Sequence, residues 1–152
     1  MSIEANRQLA MRGYELFRDG DIPGILDQST DDVEWVSSEI AQIPFSGTYV
    51  GKKEVTDFFT TLSESSESLR FEPQEFIAER DRVVVIGVSQ WRVRKTGVVY
   101  DDAWVHVFTM RDGKIARFRI YGNSAAAVAA FTASGSAAPE ADPEAVAASM
   151  AH

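Results

Sequence analysis

The chain has 152 residues, 45% of them apolar, which suits one domain with a sizeable core. Its formal net charge of −8 disfavours nucleic-acid backbones and anionic lipid headgroups, so neither nucleic acid nor a membrane is an expected partner. With no cysteine and two histidines, His106 and the terminal His152, a disulfide framework, a thiolate metal site and a multi-histidine metal site are excluded, and no metal is expected.

The opening "MSIEANRQLAMRGYELF" lacks the basic-then-apolar layout of a secretory signal, and no apolar run approaches the ~20 residues that span a bilayer, so the expected compartment is the cytoplasm. Ile3, Leu9, Met11, Tyr14, Leu16 and Phe17 form an imperfect helical stripe from Ser2 to Arg18, ending at the cap residue Gly20. "DIPGILDQS" offers Asp21 as N-cap and Pro23 in the first turn of a short second helix. "DDVEWVSS" reads as a strand with Val33, Trp35 and Ser37 on one face, and "EIAQIPFSGTYVG" reads as a loop. Val55, Phe58, Phe59 and Leu62 then fall at helical spacing in a third helix.

Strand-like segments follow: "LRFEPQEFIAER", "RVVVIGVSQWRVR", "VVYDDAWVHVFTM" and, after the hairpin signal "RDG", "KIARFRIYGN". Helices followed by long antiparallel strands predict an α+β fold, with about three N-terminal helices on the concave face of a strongly curved, mostly antiparallel sheet. "SAAAVAAF" closes the domain as a short helical or extended segment. The domain is read as residues 1–131. Residues 132–152 are a low-complexity tail rich in Ala, Ser, Pro and Glu, where Asp142 and Pro143 offer one short helix start.

Period-two alternation puts Trp104, His106 and Phe108 on one face of their strand, with Asp102 on the same face nearer its start. On the next strand Phe118 and Ile120 share a face opposite Arg119, Tyr121 and Asn123. On the strand before, Ser89 and Trp91 oppose Gln90, Arg92 and Arg94, and the charged set faces solvent.

The order of elements, with the motifs "RDGDIPGILDQSTDDVEW", "PFSGTYVGKKEVTDFF", "DRVVVIG" and "HVFTMRDGKIARFRIY", resembles the ketosteroid-isomerase-like, or NTF2-like, superfamily and within it the SnoaL-like polyketide cyclase branch. The resemblance implies a cone holding a small hydrophobic molecule, and a homodimer formed through the convex sheet face. It also implies cofactor-free chemistry, because positioned donors alone can stabilise an enolate. Ketosteroid isomerase works with an aspartate base against a tyrosine and a protonated aspartic acid. By the resemblance the base position falls on Ser37, the tyrosine position on Gly13 beside Tyr14, and the protonated-acid position on His106. The aspartate that the cyclases carry on the last strand falls on Ile120, and the arginine–aspartate pair of the epoxide hydrolases meets only Arg92 and Arg94. The chain departs from all three catalytic patterns.

Two readings follow. In the first, the protein binds a cyclic or polycyclic carbonyl compound and catalyses proton transfer in isomerisation, cyclisation or dehydration. His106 is then the base or carbonyl-polarising donor, and Tyr14 a further donor. Trp35, Ser37, Phe58, Trp91, Trp104, Phe108, Phe118 and Ile120 shape the ligand site. In the second, the cone is a non-catalytic module for a ligand or a protein partner, because Ser37 and Ile120 delete the acids. His106 reads equally as a buried histidine satisfied by a backbone carbonyl or water, and the tryptophans as core filling.

Overall fold

The computed structural model describes residues 2–134. Ser2 caps helix α1 (Ile3–Arg18), its hydroxyl accepting from the Ala5 amide at 3.0 Å. Asp21 caps α2 (Ile22–Asp27), with Pro23 in the first turn. Strand β1 (Ser29–Val36) leads through a loop to β2 (Thr48–Val50), and α3 (Gly51–Ser65) follows directly. Strands β3 (Ser66–Glu79), β4 (Arg82–Val93), β5 (Val99–Arg111) and β6 (Lys114–Tyr121) then form an antiparallel run.

The six strands make one open sheet in the order β2-β1-β6-β5-β4-β3, and only the β1–β6 pair is parallel. Register shifts between Ser68 and Arg70 and between Pro73 and Glu75 bend β3, and Pro73 is tolerated because β3 is an edge strand. The β5–β6 hairpin turns on Asp112 and Gly113, both with positive φ (53° and 75°), the requirement of the tight turn that "RDG" signals.

Helices α1 and α3 lie on the concave side, and the main core forms where Leu16, Val55, Phe58 and Phe59 meet Val83, Val85, Trp104 and Phe108 of the sheet. A second cluster gathers Ile43, Val93, Ala127, Ala130 and Phe131 under α4 (Ser124–Thr132).

Four details differ from the sequence reading. The segment read as a loop contains β2, because Tyr49 pairs with Trp35 of β1. Ile3 and Met11, counted in the α1 stripe, are exposed; Asn6, Ala10, Gly13 and Leu16 are the buried face. Small residues let α1 approach β3 closely, and the Asn6 amide donates to the Arg80 carbonyl at 3.2 Å. Thr132, read as the start of the tail, ends α4, its hydroxyl donating to the Val128 carbonyl. Finally, Arg119, read as facing solvent, is only partly exposed and stacks over the Tyr121 ring at 4.9 Å, whereas Arg92 and Arg117 pair outward with Glu67 and Glu34. The Asp142–Pro143 helix start, His152 and the rest of the tail lie outside the described residues.

Among the described residues, no helix is long and apolar enough to cross a membrane.

Candidate functional site

A chamber of about 120 Å³ lies between α1, α3 and the concave face of the sheet. Alternation along β5 sends Trp104, His106 and Phe108 into its wall, and β6 adds Phe118 and Ile120 beside them. Phe58 from α3, Trp35 from β1 and Trp91 from β4 complete the predicted lining. All of these share one cavity, as the sequence places them. The Trp91 indole N–H donates to the Ser89 hydroxyl at 2.9 Å, so its polar atom is already engaged.

His106 is buried and sits opposite Ile120 on one side and Val85 on the other. Its ring stacks on Trp104 with centroids 3.9 Å apart and meets Phe118 at 4.6 Å. The Tyr14 hydroxyl reaches it from α1, 2.7 Å from Nδ1. Burial pushes the His106 pKa down to about 3 and the Tyr14 phenol well above its ordinary value. Both groups are therefore neutral near pH 7. Phenol is the stronger donor and imidazole nitrogen the stronger acceptor, so Tyr14 O–H donates to Nδ1 and the ring proton sits on Nε2. Nε2 makes no hydrogen bond among the described residues, which leaves a donor inside the chamber. The partner of the histidine is a side chain from another element and not a backbone carbonyl.

Ser37 is not in the chamber. Strand β1 ends at Val36, and Ser37 is held by Gly47 instead: its amide donates to the Gly47 carbonyl at 2.9 Å and its hydroxyl accepts from the Gly47 amide at 3.1 Å. The loop therefore takes the serine out of the strand's alternation and into an outer groove of about 200 Å³. Asn123 is likewise elsewhere, as the N-cap of α4, accepting from the Ala126 amide.

Several lining residues were not predicted. Phe17, Phe59, Leu62 and Phe71 close the chamber, and Phe71 stacks on Trp104 at 5.0 Å. The β3 bulges break the alternation that would have announced Phe71. Phe45, Tyr100, Asp102 and Ile120 line both chamber and outer groove. Burial raises the pKa of the half-buried Asp102, against a lowering contribution from the Asn123 amide that its Oδ1 accepts at 2.6 Å. Its face was legible from parity; its position between two cavities was not. Among the described residues no three carboxylate or imidazole groups converge as a metal site.

Comparison with known proteins gives the same frame. The model of the SnoaL-like domain family matches residues 10–118. An NTF2-like protein from Burkholderia xenovorans LB400 is 31% identical, with 87% of this chain and 99% of that one covered at a TM-score of 0.80. An NTF2-like protein of unknown function from Burkholderia pseudomallei K96243 is 29% identical over 88% and 100%, at 0.79. TerC, co-crystallised with polyporic acid, is 32% identical over 85% and 99%, at 0.76. None of the curated proteins matches. By its sequence match and by its helices on a bent, open sheet, the chain belongs to the SnoaL-like family, on the NTF2-like fold.

Proposed function

We propose that the protein binds a small cyclic carbonyl compound in its chamber and, by polarising the carbonyl, supports a cofactor-free transfer of the ligand's proton to water, as in isomerisation, cyclisation or dehydration. The observation that carries this reading is the 2.7 Å contact between the Tyr14 hydroxyl and His106 Nδ1 in a mostly apolar cavity. An imidazole with a pKa near 3 is too weak a base to take a proton at neutral pH, so its role is donation. Nε2–H polarises the carbonyl, Tyr14 fixes the tautomer, and Trp104 and Phe118 hold the ring's faces. A relative that holds a small molecule gives support to binding: TerC, 32% identical, was co-crystallised with polyporic acid.

Size limits the ligand. A cavity of ~150 Å³ takes one benzene ring, so a polycyclic compound must extend from the chamber of about 120 Å³ into the outer groove. The convex face, where Ile77 is exposed opposite the inward Phe76, is the surface we assign to a homodimer.

Ile120, together with Ser37 outside the chamber, favours a second reading, a binding module without turnover, since no acid occupies either family position. One experiment tests the shared core of both: follow the His106 ring resonances by NMR while adding acetophenone or indanone. A saturable shift at Nε2 is expected. A ring that titrates at the ordinary imidazole value of ~6.5 and ignores both ketones removes the assignment.

A further inference from the structure

The chamber has opposite hydrogen-bonding character at its two ends. Its deep end offers a donor, His106 Nε2, which makes no hydrogen bond among the described residues. Its outer end offers an acceptor, Asp102, which lines both the chamber and the outer groove. The Asp102 Oδ1 is committed to the Asn123 amide at 2.6 Å, and a side-chain carbon built on Gly122 would lie 2.9 Å from that oxygen. The backbone thus packs against the carboxylate and fixes it. Oδ2 makes no hydrogen bond among the described residues, and no arginine or lysine pairs with the group.

We infer that the ligand is a two-ended aryl carbonyl, its carbonyl oxygen on His106 and a hydroxyl at the far end of the ring donating to Asp102 Oδ2. His106 and Asp102 lie on one face of β5. Four residues of strand set their Cα atoms ~13 Å apart, so a ligand that meets both side chains carries its two polar groups at opposite ends of a ring, as an aryl ketone with a para hydroxyl does. A ligand with acceptors at both ends would leave the half-buried carboxylate without a donor, and one with donors at both ends would oppose Nε2–H.

The inference rests on the carbonyl-binding reading of the chamber, and one experiment separates the two. Dissociation constants of para-hydroxyacetophenone, para-methoxyacetophenone and acetophenone are measured by tryptophan fluorescence for the wild type, Asp102→Asn and Asp102→Ala. Asp102→Asn keeps an oxygen for the Asn123 amide, and a circular-dichroism melt of each variant reports folding. The hydroxy ketone should bind at least tenfold tighter than the other two in the wild type, and this advantage should vanish in the folded variant or variants. Equal binding of all three, or an advantage that survives loss of Asp102, overturns the inference and leaves the chamber reading intact. Binding of none of the three overturns both.

Discussion

Gly87 and Trp104 face each other across β4 and β5, and the indole fills the space that any side chain at 87 would need. A Cβ built on Gly87 would lie 2.3 Å from Cζ2 and 2.5 Å from Cη2 of Trp104, with the Glu72 carbonyl at 2.6 Å. Trp104 in turn stacks on His106, so this glycine sets where the imidazole sits.

Gly87→Ala should therefore destabilise the fold by about 1–3 kcal/mol, the cost of overpacking against a rigid ring and a backbone carbonyl. Thermal denaturation reads this directly, as a Tm lower by several degrees. An unchanged Tm would mean that β3 and the indole have slack that the packing does not suggest.

Gly13 is the opposite case. It lines the chamber from the interior of α1, and a Cβ built there meets nothing within 4 Å. Gly13→Ala should raise stability by about 0.5–1 kcal/mol through helix propensity and the unfolded chain's lost freedom, while narrowing the chamber. A denaturant midpoint checks the first effect, and weaker acetophenone binding checks the second.

Tyr14→Phe removes the partner of His106 Nδ1 and should cost about 1–3 kcal/mol, because a buried acceptor is left unpaired. The His106 pKa should nevertheless stay far below its ordinary value, since burial and not Tyr14 depresses it. NMR titration of the variant decides: a return toward ~6.5 would assign the depression to the hydrogen bond instead.

Stability should rise with pH between about 3 and the unfolded value of 6.5 through His106. In that window the unfolded chain binds a proton that the folded imidazole refuses; the contribution is complete above 6.5 and is lost as pH falls through about 3. Asp102 has the opposite sign: its pKa is raised in the fold, so its contribution is present below 3.8 and is lost as pH rises through the raised value. Urea unfolding at about pH 4 and about pH 7 should show a weaker pH dependence in His106→Gln and a steeper one in Asp102→Asn. Wild-type slopes in both variants would contradict the burial that shifts the two groups in opposite directions.

Ile120→Asp would place a carboxyl directly across from His106. A neighbouring negative charge should raise the His106 pKa by at least about one unit, while desolvating the new carboxyl costs roughly 2–4 kcal/mol of stability. NMR titration and a melt measure the two effects. An unmoved imidazole pKa would show that the new side chain turns away from the ring.

Local patterns in the sequence carried the secondary structure and one wall of the site. The hydroxyl of Ser2 and the carboxylate of Asp21 start their helices, and Asp112–Gly113 turns the hairpin, because caps and tight turns depend on neighbouring backbone alone. Trp104, His106 and Phe108 share a face because strand geometry repeats every two residues. Other features came only from how distant elements pack. The Tyr14 hydroxyl meets His106 because α1 docks closely on the sheet over Ala10 and Gly13. Ser37 leaves the strand's face because Gly47 takes its hydrogen bonds, and Phe71 enters the chamber across bulges that erase its periodicity. Periodicity is set by the sterics of adjacent residues and can be read along the chain, whereas contacts between elements are set by the packing of the whole core and need the tertiary structure.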